Sequence, residues 1–204
     1  TVSGNTATNH GGGINNAGTM LLDNSTVSGN TAGVDAGGIY NASTGILTLS
    51  TSTVSDNTAG DDAGGLRNAA GGTLTVVNST VSGNHAGDEG GGIRNGDAIL
   101  TLVNSTVSGN TARFDGGGIY NIGTAHLFNV TITDNQADAD LNGMGTGGGV
   151  HNAPPGLFND SGGIFQFQNT ILAGNFETLS FGDCAGTLTS NGNNVIRQVN
   201  CMVN

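Results

Sequence analysis

Two sets of side chains recur through this chain at the spacing of a repeat, and each set could do chemistry. The carboxylates Asp35, Asp62, Glu89 and Asp115 stand 27, 27 and 26 residues apart, with His10 in the equivalent place before them. Tyr40, Arg67, Arg94 and Tyr120 follow at the same intervals, with Asn15 before them and His151 after. Carboxylates stacked ~5 Å apart would repel by on the order of 1 kcal/mol per pair even in water. Two readings relieve them. One is a divalent cation between coils, and calcium suits oxygen ligands on flexible loops; Asp35, Asp62, Glu89 and Asp115 are then its ligands. The other is a solvated acidic edge that discourages aggregation. Calcium aside, no cofactor is expected. The Tyr-Arg-Arg-Tyr strip reads as an outward surface that stacks on sugars or partner rings, its guanidinium groups free to pair with the acids of another subunit. Plain cross-strand packing of bulky residues accounts for it equally.

A third array is Thr-x-Ser: Thr1/Ser3, Thr26/Ser28, Thr53/Ser55, Thr80/Ser82 and Thr106/Ser108, followed by Thr131/Thr133. Catalytic signatures are missing. The chain has neither GxSxG nor HExxH. Gly143-Met144-Gly145-Thr146-Gly147-Gly148 matches GxGxxG in letters, but no helix pattern follows it. Asp61-Asp62 is answered by Asp88-Glu89 one repeat later, which reads as periodicity rather than a unique acid–base pair. His10, His85, His126 and His151 fall at unlike repeat positions and read as solvated surface groups. No enzyme is expected from these residues.

The elements that position these columns follow from three asparagine landmarks. One recurs at Asn5, Asn30, Asn57, Asn84, Asn110, Asn135 and Asn175; a second closes Gly-Gly-apolar-x-Asn at Asn16, Asn41, Asn68, Asn95, Asn121 and Asn152. The third precedes the Thr-Val-Ser segments at Asn24, Asn78, Asn104, Asn129 and Asn169, with Thr51 standing in once. Three corners per repeat predict three short strands, each alternating apolar-in and polar-out. The prediction is an all-β, right-handed parallel β-helix of about seven coils of 25–27 residues, with one enlarged coil. Stacked asparagines form amide ladders from coil to coil. Residues 1–175 are the helix, with a loop insertion at 136–163, and 176–204 are its C-terminal cap. Cys184 and Cys201 would form one disulfide closing that cap if the protein is exported.

Composition narrows the partners. The chain of 204 residues has 38 glycines, two prolines, no lysine and a net charge of −11. Nucleic acid and anionic membranes are not expected partners, because phosphate binding needs clustered Lys or Arg. No apolar run approaches the ~18 residues of a transmembrane helix. The sequence opens on Thr1-Val2-Ser3 inside a repeat, which reads as a processed form or a fragment, and the strand edge there would take a second copy head to tail, giving filaments.

The GGGI-x-N and L-x-x-N-S-T-V-S-G-N elements resemble the repeats of polymorphic outer-membrane proteins and related bacterial surface β-helices. The tail, from Asn169-Thr170-Ile171-Leu172-Ala173-Gly174-Asn175 through Asp183-Cys184 to Ser190-Asn191-Gly192-Asn193-Asn194-Val195-Ile196 and Cys201, resembles the end of the choice-of-anchor Q group. The resemblance implies a secreted or surface-attached bacterial protein and no particular chemistry. The expected function is a non-catalytic extracellular structural or adhesive module. The rival is a glycan-binding or glycan-cleaving β-helix that uses the loops at 136–163. The Thr-x-Ser array also resembles the faces of ice-binding β-helices, a third and smaller alternative.

Overall fold

A computed structural model describes residues 1–155, 162–178, 180–197 and 200–204. It is a parallel β-solenoid of about seven turns, and the described residues contain no helix. Part of the 136–163 insertion, residues 156–161, lies outside the described residues.

Each regular coil holds four strands rather than the three expected. The second coil shows them as Thr26–Ser28, Thr31–Ala32, Ile39–Asn41 and Ile46–Ser50. The extra strand arises because the chain bends in a left-handed conformation just after each Thr-Val-Ser segment. Gly29 does so at φ 63° and Asp56 at φ 56°. Strands of successive coils pair in parallel and in register, so equivalent residues form columns along the rod. The Thr-Val-Ser strands make an eight-stranded sheet. The Gly-Gly strands and the five-residue strands join into one fourteen-stranded sheet, because Cys184–Ser190 pairs with both sets.

The core is a stack of like on like. Val27, Val54, Val81 and Val107 fill one column, and Leu47, Leu74 and Leu100 another, all buried. The paired glycines have a packing cause. A Cβ on Gly37 would sit 2.5 Å from backbone atoms of Thr58, and one on Gly64 2.4 Å from the His85 nitrogen. Backbone there lies directly on backbone, and only glycine fits.

Two of the three asparagine landmarks are buried amide ladders. In the first, each Nδ2 donates to the Oδ1 of the next coil, as from Asn57 to Asn84 at 2.9 Å and from Asn84 to Asn110 at 2.9 Å. The row ends on Asp183, whose carboxylate oxygen accepts from both the backbone nitrogen and Nδ2 of Asn175. The second runs from Asn16 to Asn152 and ends on the carbonyls of Gly163 and Thr187. The third landmark differs. Asn24, Asn78, Asn104 and Asn129 are exposed and turn the corner at φ between 48° and 55°, and Thr51 does the same at φ 49°. Asparagine is common there because its side chain tolerates the left-handed region.

The C-terminal tail is stapled as expected. Cys184 and Cys201 form a disulfide with their Cα atoms 5.4 Å apart, and Asn200–Val203 pairs beside Cys184–Ser190.

Candidate functional site

The acidic column and the Tyr-Arg column are one structure. Immediately after each acid the chain turns through a left-handed residue: Ala36 at φ 59°, Ala63 at φ 60°, Gly90 at φ 69° and Gly116 at φ 65°. Two glycines and an inward apolar residue follow. The bend folds each acid over the outward side chain five residues later. A Cβ on Gly90 would lie 2.8 Å from Cβ of Arg94, which measures how tight the turn is.

Each arginine therefore straddles two carboxylates, its own coil's and the preceding one's. Arg67 lies 3.1 Å from Asp62 and 3.6 Å from Asp35. Arg94 lies 3.1 Å from Glu89 and 3.0 Å from Asp62. The aromatic and imidazole rings close the two ends. His10 stacks on Tyr40 at 4.9 Å and sits 3.4 Å from Asp35. Tyr120 stacks on His151 at 5.0 Å, with the Arg94 guanidinium 5.4 Å from its ring. Asp115 has no arginine; it accepts from the backbone nitrogen and hydroxyl of Thr146, with His151 at 3.5 Å.

This placement differs from an open stacking strip. Tyr120 is 1% exposed and Arg94 8%, because the acids fold across them. Nor do Asp35, Asp62, Glu89 and Asp115 converge on one point; they are spaced along the rod, with a guanidinium group between each successive pair of the first three. The grouping whose carboxylate oxygens lie within 4.8 Å of one another is Asp61, Asp62 and Asp88, which shares only Asp62 with the column of expected calcium ligands.

Crowding of acids sets the electrostatics. Burial pushes the Asp62 carboxyl up to about 6, partly opposed by Arg67. Burial, then Asp62 and Asp61, push Asp88 to about 6. Glu89 reaches about 8 through burial and the charges of Asp62, Asp88 and Asp115. Burial acts the same way on Asp115, but the hydrogen bond and charge of His151 and the bonds from Thr146 outweigh it and hold that carboxyl below its usual value. Tyr120 is raised by burial and by Glu89. Three carboxyls are therefore pushed above their ordinary values along one ridge.

No protein-family model matches the chain, and no curated protein or solved structure matches it.

One participant, Thr146, is not among the expected site residues. Thr146 stands four residues before Val150, the offset that defines the acidic column, so its place was recoverable. The pairing of the columns was also implicit, because each acid precedes its outward partner by five residues; the left-handed bend that uses this spacing was not. The Thr-x-Ser side chains lie half-buried along their own sheet, away from the ridge. The glycine run at 143–148 is irregular and leads into Val150–Asn152. Beside the second part of the insertion, Pro154, Pro155, Ile164, Thr187 and Met202 line a cleft of about 620 Å³.

Proposed function

We propose that this chain is a non-catalytic structural or adhesive module, displayed outside the cell in the manner of the bacterial surface β-helices whose repeats it resembles. The observation that carries the reading is the ridge: Arg67 and Arg94 are each held between two carboxylates, so the charged groups serve one another. Buried pairing of this kind suits a stiff scaffold better than a site that must meet a substrate. The disulfide belongs to an oxidising compartment rather than to the cytosol. No helix among the described residues is long and apolar enough to cross a membrane.

The amide ladder weighs against copies stacking head to tail in register. Asp183, where the ladder ends, is fully buried, so it is not presented to the Asn5 amide of another copy.

The cleft beside Pro154 and Met202 favours a second reading, glycan binding at the insertion. Affinity electrophoresis in acidic and neutral polysaccharides, with and without calcium, separates the two, because a glycan held in the cleft retards the chain and Met202→Asp removes the retardation; the same mixtures are assayed for cleavage. A scaffold leaves reducing ends and ultraviolet absorbance unchanged. Chain cleavage that disappears in Glu89→Gln would replace the scaffold with an enzyme.

A further inference from the structure

The ridge occupies one side of the rod. On another side, the six five-residue strands from Thr19–Asp23 to Ile164–Gln168 present an open face. It carries much of the molecule's exposed apolar surface: Leu21 is 65% exposed, Ile46 49%, Ile99 50%, Phe128 40% and Ile164 53%. In a chain of net charge −11, Asp23 is the one acid among its outward side chains, and there is no arginine. Like-charged molecules approach each other at lower electrostatic cost across such a face.

We propose that this face docks a second copy of the chain, the two rods lying side by side and antiparallel about a two-fold axis that runs along the strands. The first outward column alternates without a break: Thr19, Ile46, Thr73, Ile99, Thr124, Ile164. An even-numbered alternating column read from its other end sets threonine against isoleucine at every rung. The same reversal faces Thr75 with Thr101 and Val77 with Val103 at the centre. It brings Asp23 to the Gln168 amide, and it places the two copies' Asp23 side chains at opposite ends of the contact.

The size is adequate. Six strands at ~4.8 Å by five residues at ~3.3 Å span about 500 Å² in projection, or about 1,000 Å² over two copies before side-chain relief is counted, the lower bound for a specific interface. Two sheets packing at ~10 Å interdigitate side chains of this size.

Sedimentation velocity across the micromolar to millimolar range tests the proposal. The wild-type chain dimerises. Ile46→Glu with Ile99→Glu weakens association by at least about tenfold and leaves the circular dichroism spectrum unchanged, whereas Ser55→Glu with Ser82→Glu on the Thr-x-Ser sheet leaves the dimer intact. Thr75→Arg gives the same readout should the double variant fold poorly. For register, Thr75→Cys and Thr101→Cys proteins are mixed and treated with a short bis-maleimide; the two natural cysteines are already bonded to each other. Mixed cross-links should exceed those within either variant. A wild-type monomer at every concentration overturns the dimer, as does a dimer indifferent to Ile46→Glu/Ile99→Glu. Predominant same-variant cross-links overturn the antiparallel arrangement. Face variants that abolish glycan or ice binding by a monomer would assign the face to that ligand instead.

Discussion

Arg94 touches Glu89, Asp62 and the Tyr120 ring while almost wholly buried. Removing it leaves carboxylates without their counter-charge, and Arg94→Met should cost about 3 kcal/mol in urea unfolding. Glu89→Gln keeps an oxygen that accepts from Arg94 and removes one charge from a crowded acidic ridge, so it should cost under about 1 kcal/mol. The same acids set a pH dependence. Asp62, Asp88 and Glu89 bind protons more tightly in the folded chain than in the unfolded one, so their contribution to stability is full below their ordinary values of 3.8 and 4.5. It falls away as pH climbs through about 6 and then about 8. Asp115, lowered, acts oppositely at the acid end. From these raised carboxyls, thermal melts should show stability that declines steadily from about pH 4.5 toward pH 8. A Tm that rises steadily across that range would contradict the assigned shifts.

Within a coil, the periodic landmarks carried most of the information. Leu100, Leu102 and Val107 were expected inside from alternation alone and are buried. The two asparagine ladders were also expected, since an amide offers a donor and an acceptor in line. The division of the Thr-Val-Ser-Gly-Asn-Thr-Ala run into two strands was not legible, because glycine and aspartate permit a left-handed residue without requiring it. The fusion of acid and arginine columns was hidden for a similar reason: it depends on Ala36 and Ala63 adopting positive φ, which alanine rarely does. Two substitutions test these elements. Asn84 accepts from the Asn57 backbone and side chain and donates to Val54 and Asn110. Asn84→Ala strands all of these, and should cost about 4 kcal/mol by chemical denaturation. Thr51 holds a left-handed corner that asparagine occupies in other coils, so Thr51→Asn should stabilise by about 0.5–1 kcal/mol.

At the level of the whole rod, the Cys184–Cys201 bond ties the last strand to the coil beneath it across a separation of 17 residues. Reduction should cost about 3 kcal/mol on the chain-entropy account, and hydrogen exchange under reducing conditions should show protection lost first at Asn200–Val203. Uniform loss along the rod would mean that the tail and the coils unfold as one unit. The amide ladder has a larger consequence. In every rung the Nδ2–H points toward the C-terminal coils and the Oδ1 toward the N-terminal ones. Seven side-chain dipoles thus add head to tail along one axis, like the peptide dipoles of a helix. The positive pole meets the Asp183 side chain, and Asn5 is the rung farthest from it. The molecule is electrically polarised along its length by neutral residues, independently of its surface charge. Two such rods laid antiparallel would oppose their polarisations and lower each other's electrostatic energy.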